Sequence, residues 1–140
     1  MKVIVTGAGG FIGTQLVREL CKRGTLALHP SGEVKISSIV ATDLRIPEES
    51  RKGLPSWVSF VEGDLSTDEA VDSIIPQEED FSLFHLAAIV SGDGERDFDL
   101  CIRVNLEGTV KLLDACRNSR GRARIVFASS LAVFGGEACP

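Results

Sequence analysis

Tyrosine is absent from this 140-residue chain, and tryptophan and methionine occur once each. No phenol is therefore available anywhere along it as an acid or a base. No apolar run approaches the about 18 residues that a membrane span needs, and no basic-then-apolar leader precedes the first strand-like segment. A soluble, untargeted, cytoplasmic protein is expected. The four cysteines, Cys21, Cys101, Cys116 and Cys139, form neither a Cys-x-x-Cys pair nor a zinc-ligand pattern, and read as reduced core thiols. Positive charge is short as well: 15 Lys and Arg stand against 20 Asp and Glu, a formal net charge of -5. Such a balance argues against a nucleic-acid or anionic-membrane partner. The local exception, Arg117, Arg120, Arg122 and Arg124, reads as a solvated helix end and turn.

What the chain does have is an apolar fraction of 44%, enough at this length for one domain with a substantial core. It opens on Lys2-Val3-Ile4-Val5-Thr6-Gly7-Ala8-Gly9-Gly10-Phe11-Ile12-Gly13, a β-branched run entering a glycine turn, followed by Ile12, Leu16, Val17 and Leu20 at helical spacing. Strand, tight turn and helix are predicted, with Gly24 as the stop. Thr25 to Lys35, with His29-Pro30-Ser31-Gly32 inside it, reads as a turn-rich connection. A second strand is expected over Ile36 to Thr42, ending at Asp43, then a loop from Arg45 to Pro55, and a third strand over Trp57 to Val61. Ser66-Thr67-Asp68-Glu69 fits a capping box that starts a short helix stopped by Pro76. Phe81 to Ala88 lacks alternation and suits a strand buried on both faces. Phe98, Ile102, Leu106, Val110, Leu113 and Cys116 would line one long helix from about Glu95 to Asn118, and Arg124 to Ala128 forms strand five. Strands alternating with helices predict an α/β fold, a Rossmann-type doubly wound parallel sheet in the order 3-2-1-4-5.

At the strand ends the residue types point to a dinucleotide. Gly7 would permit the turn, Gly10 the approach of a pyrophosphate and Gly13 close packing of the helix, with the Phe11 and Ile12 N–H groups facing the phosphates. No Lys-Ser or Lys-Thr follows the glycines, which argues against a mononucleotide P-loop. Asp43 can accept hydrogen bonds from ribose hydroxyls and repels a 2'-phosphate, favouring NAD over NADP, although Arg45 leaves room for some NADP tolerance. Asp64 and Leu65 stand where an adenine would be met; the alternative is that Asp64 only helps start the Ser66 helix. His85 reads as a hydrogen-bonded core residue, and His29 as a loop residue without partners. Ser130 ends strand five, where a hydroxyl could hold a substrate alcohol or carbonyl oxygen.

Taken together, the glycine turn, Gly63-Asp64-Leu65, His85-Leu86-Ala87-Ala88, Val104-Asn105-Leu106-Glu107-Gly108-Thr109 and Ser129-Ser130-Leu131-Ala132-Val133-Phe134-Gly135 resemble the extended short-chain dehydrogenase/reductase family, the NAD-dependent epimerase/dehydratases. Phe84 to Gly92, Asp97 to Leu100 and Ser130 to Gly136 look like its D-erythronate dehydrogenase branch, whose members oxidise C2 of a four-carbon sugar acid. The resemblance implies that Gly7, Gly10, Phe11, Ile12, Asp43, Asp64, Leu65, Leu86, Ala87, Ala88 and Asn105 contact NAD, that Ser130 is the catalytic serine, and that Val90 and Ser91 face the substrate. Phe134 stands where the common family form has Tyr.

The family also uses a Tyr-x-x-x-Lys pair on a following helix, Tyr as the acid/base and Lys to lower its pKa. This chain has no Tyr, and its last lysine is Lys111. Residues 1–140 are therefore expected to be an incomplete NAD-binding Rossmann domain, an N-terminal portion without the Tyr-x-x-x-Lys helix and substrate region, and inactive alone. The expected function is NAD-dependent dehydrogenation of a small sugar acid. The alternatives are a sugar-nucleotide epimerase or dehydratase and a non-catalytic NAD-binding module. The expected partners are a sugar acid or sugar nucleotide, with no metal, nucleic acid or membrane, and a homodimer in the longer parent.

Overall fold

A computed structural model describes residues 1–28, 32–90, 92, 96–130 and 133. Five parallel strands form the central sheet: β1 (Lys2–Thr6), β4 (Ser38–Asp43), β5 (Val58–Glu62), β6 (Phe81–His85) and β7 (Ala123–Phe127). Their order is β5-β4-β1-β6-β7, the reversal expected of a doubly wound sheet, with β1 central, paired with β4 on one side and β6 on the other. Register aligns the carboxyl ends: Thr6 lies opposite Thr42 and His85, and His85 opposite Phe127.

Alternation within each strand divides the core into two layers. Val3, Val5, Ile39 and Ala41 face helix α1 (Phe11–Arg23) through Val17 and Leu20. Ile4, Val40, Phe81 and Leu83 face the other layer, where α3 (Asp68–Ile74) contributes Val71 and Ile74. Leu112 and Cys116 join them from the helix before β7. Ile4, Ile39, Phe81 and Leu83 are entirely buried, so apolar transfer drives both faces of this sheet.

Four expectations need correction. Thr25–Leu28 and Gly32–Lys35 are not a plain connection but strands β2 and β3, paired antiparallel with Leu26 opposite Val34. Leu26 packs on the α1 layer, which is the burial that makes an extended pair worth forming. Inside the expected loop, α2 (Glu48–Arg51) makes a single turn, with Pro47 ahead of it and Glu48 and Glu49 at its positive end. The cap of α3 is Thr67, not Ser66: its hydroxyl accepts the Ala70 N–H at 3.4 Å.

The long helix also differs from its expected form. It runs as α4 (Phe98–Cys101), a π-helical stretch (Ile102–Gly108) and α5 (Thr109–Asn118). Gly108, Leu112 and Cys116 face inward while Phe98, Leu106, Val110 and Leu113 are exposed, so of the expected stripe only Cys116 is buried. Burial pushes the Cys116 thiol up to about 11. At the opposite end of the sheet the arginine cluster is largely paired with acids: Arg117 with Asp114, Arg120 with Glu78, and Arg122 with Asp80. Among the described residues no helix is long and apolar enough to cross a membrane, and no acidic, histidine or cysteine cluster could hold a metal.

Candidate cofactor site

The carboxyl ends of β1, β4, β5 and β6 open onto one cavity of about 770 Å³. Its floor is the glycine turn. Gly7 has a left-handed φ of 69°, and a Cβ there would lie 2.8 Å from the Ala87 nitrogen, so only glycine lets β1 turn against the end of β6. Gly13 faces the turn itself: a Cβ would stand 2.7 Å from the Ala8 Cα and would strike the Gly7 carbonyl. That contact draws the start of α1 onto the turn. Gly10 is the N-cap and no side chain caps the helix, so the first-turn N–H groups, which have no acceptor inside a helix, are open to an anion. Phe11 and Ile12 line the cavity at this point and are exposed.

Asp43 closes β4 at the cavity wall. One carboxylate oxygen accepts the Gly9 N–H at 2.9 Å and the other the Leu44 N–H at 2.7 Å, which ties the glycine turn to the end of the second core strand. Each oxygen keeps a second lone pair for a ligand hydroxyl. Beyond it, Leu44, Arg45 and Pro47 form a rim. Glu62 holds that rim: it accepts the Ile46 N–H at 2.9 Å and pairs with Arg51, whose guanidinium donates to the Ile46 carbonyl at 3.2 Å. The Ile46 hydrogen bond, followed by the Arg51 charge, keeps the Glu62 carboxyl below the usual range.

Asp64 and Leu65 line the same cavity. Asp64 accepts the Ser66 N–H at 2.9 Å, and this bond chiefly lowers its pKa, with Arg103 adding a smaller push. It therefore stands at the cavity and also shapes the turn into α3, so the two readings of its position are compatible. Leu86, Ala87, Ala88, Ile89 and Val90 supply the wall after β6, and Leu100 and Val104 the wall from the long helix.

Two expected positions are not among the residues that line the cavity. Asn105 is not among the residues lining the cavity: its carboxamide brackets one residue, accepting the Ile89 N–H at 2.7 Å and donating to the Ile89 carbonyl at 2.9 Å. A side chain bonded on both sides of Ile89 holds that wall in place. Ser130 lies in the exposed segment after β7, two residues beyond the cavity-lining Ala128, and its carbonyl accepts the Val133 N–H. Ser91, Phe134, His29 and Cys139 lie outside the described residues. Gly9 and Glu62 carry no sequence signal as organisers of the site, since only their spatial partners Asp43 and Ile46 reveal them.

An uncapped helix N-terminus, a carboxylate one strand away and apolar walls between them fit a dinucleotide: anion, ribose and ring each meet suitable chemistry. Comparison with known proteins agrees. The D-erythronate dehydrogenase of Cupriavidus necator is 43% identical, matching 100% of this chain and 42% of its own length. The crystal structure of a nucleoside-diphosphate-sugar epimerase from Agrobacterium tumefaciens superposes with a TM-score of 0.78 at 35% identity, over 98% of this chain and 39% of that one. A short-chain dehydrogenase/reductase superfamily protein from Agrobacterium tumefaciens, solved with bound NAD, gives 0.72 at 31%, over 96% and 34%. The chain thus spans less than half the length of each relative. Residues 3–139 match the NAD dependent epimerase/dehydratase family, and the chain belongs to that family.

Proposed function

We propose that residues 1–140 act as an NAD-binding Rossmann domain and serve the oxidation of C2 of a small sugar acid such as D-erythronate. The observation that carries the cofactor part is the uncapped N-terminus of α1 beside the Asp43 carboxylate in one cavity. In this reading Gly7 and Gly10 clear the approach to the pyrophosphate, and the backbone N–H groups of Phe11 and Ile12 meet it. Asp43 accepts from the adenosine ribose and disfavours a 2'-phosphate, while Asp64 and Leu65 meet the adenine. Leu86, Ala87 and Ala88 form the wall along the cofactor, and Val90 stands on the substrate side. NAD, when bound, supplies the hydride acceptor. Ser130 holds the reacting oxygen of the substrate.

The substrate part is supported by the 43% identity to a protein named D-erythronate dehydrogenase. A second reading, a sugar-nucleotide epimerase, is supported by the 35% identical epimerase structure. Titration of the chain with NAD and NADP, followed by assay of the longer parent, with its Tyr-x-x-x-Lys helix, on D-erythronate and on UDP- and dTDP-sugars, separates them. Preferential NAD binding and NADH production from the sugar acid are expected. Equal affinity for NADP would overturn the Asp43 argument, and turnover of sugar nucleotides alone would select the epimerase. NAD binding without turnover of either class would leave a non-catalytic module.

A further inference from the structure

His85 is 4% exposed at the end of β6, and its two ring nitrogens meet different hydroxyls: Nδ1 lies 2.7 Å from Thr6 Oγ1 and Nε2 lies 2.9 Å from Thr109 Oγ1. The surrounding bonds assign every proton. The Thr109 hydroxyl sits 2.7 Å from the Asn105 carbonyl, which can only accept, so Thr109 spends its one proton there and must accept from Nε2–H. Thr6 Oγ1 accepts the Leu86 N–H at 3.1 Å and the Ala87 N–H at 3.2 Å, filling both lone pairs, so its own proton goes to Nδ1. A proton on Nδ1 would set a third donor against Thr6 and leave the Thr6 hydroxyl without an acceptor.

The chain of bonds therefore runs from Leu86 and Ala87, which line the cavity, through Thr6, His85 and Thr109 to Asn105, whose side chain grips Ile89 on the same wall. We propose that His85 is a positioning residue, held as the neutral Nε2–H tautomer, that locks the Leu86–Ile89 wall of the cofactor cavity and releases it when the ring is protonated. The link to the cofactor rests on the NAD reading above. The geometry of the lock does not.

The groups that meet the ring from the packed elements are Thr6 on β1, Phe127 on β7 with ring centres 5.6 Å apart, and Thr109 on α5; none of them titrates near neutrality. Charged residues on these elements act elsewhere: Lys2 with Glu79, Arg124 beside Asp80, Arg103 beside Asp64, Lys111 with Asp68 and Glu107, and Asp114 with Arg117. Burial alone lowers the His85 pKa from the ordinary 6.5. The proton is thus taken up only below the usual histidine range.

The test is nitrogen-15 NMR of the full chain, with Thr109→Val and Thr109→Ser as variants. The wild-type His85 should show the Nε2–H pattern and remain neutral below about pH 6.5. Thr109→Val removes the acceptor for Nε2–H. It should speed exchange of the Leu86 and Ala87 amides roughly tenfold, leave β5 amides unchanged and weaken NAD binding by a similar factor. Thr109→Ser should restore both. An Nδ1–H or charged ring at neutral pH overturns the proposal, as does uniform acceleration of all amides or no change at Leu86 and Ala87. Failure of the wild type to bind NAD, with the tautomer and amide results intact, would instead remove the cofactor reading.

Discussion

Asp43 is the residue where a conventional ribose anchor acquires a second duty. Both of its oxygens already accept backbone N–H groups, from Gly9 and Leu44. An asparagine is nearly isosteric, yet its amide nitrogen would set a donor against one of those donors. Asp43→Asn should therefore weaken NAD binding about tenfold or more, close to the effect of Asp43→Ala, because it breaks the turn as well as the ribose contact. Calorimetric titration of both variants checks this; an Asn variant binding NAD like the wild type would show that the carboxylate does not organise the turn. The carboxylate was legible in the sequence as a strand-end acid, but its partner Gly9 was not, since they are separated by 34 positions and meet only through the β1–β4 pairing.

At the scale of elements, the junction of β1 and α1 depends on how closely the helix can approach the turn. Gly13 has no room for a Cβ against Ala8 and the Gly7 carbonyl. Gly13→Ala should destabilise the fold by roughly 1–3 kcal/mol, read as a lower urea midpoint with an unchanged slope, because the helix must move off the turn to admit the methyl. A wild-type midpoint would mean that the junction yields without strain. The spacing of the glycines makes this element legible from the sequence alone. The long helix shows the limit of such reading. Of the expected stripe Phe98, Ile102, Leu106, Val110, Leu113 and Cys116, only Cys116 is buried, and it shares its inward face with Gly108 and Leu112 rather than with the rest of the stripe. A periodicity that assumes uniform turns cannot register a widened one, and Gly108 carries no apolar signal although its approach to Leu65 sets the packing distance.

For the whole molecule, the titrating groups with resolved acid-side shifts act in the same direction. Hydrogen bonds hold the Glu62, Asp64 and Asp80 carboxyls below their ordinary range, and burial lowers His85. In each case the unfolded chain binds protons at a pH where the native chain does not, so stability is full above the unfolded pKa and is lost as pH falls toward and through the folded one. The urea midpoint should be flat between about pH 8 and 7, fall below about 6.5 through His85, and fall again below about 4.5 through the carboxylates. A midpoint that rises with acid would contradict the assigned signs. The alternation of apolar strands and amphipathic helices determined the layered sheet and its order, and the glycine, Asp43 and Asp64 positions followed because they sit at strand ends, a local property of the chain. Only the tertiary structure decided that Asn105 grips Ile89, that Glu62 and Arg51 hold the Ile46 peptide, and that His85 bridges two hydroxyls. Apart from the Arg51–Ile46 contact, those bonds join residues 16 or more positions apart, and their donors and acceptors acquire direction only when the strands are in register.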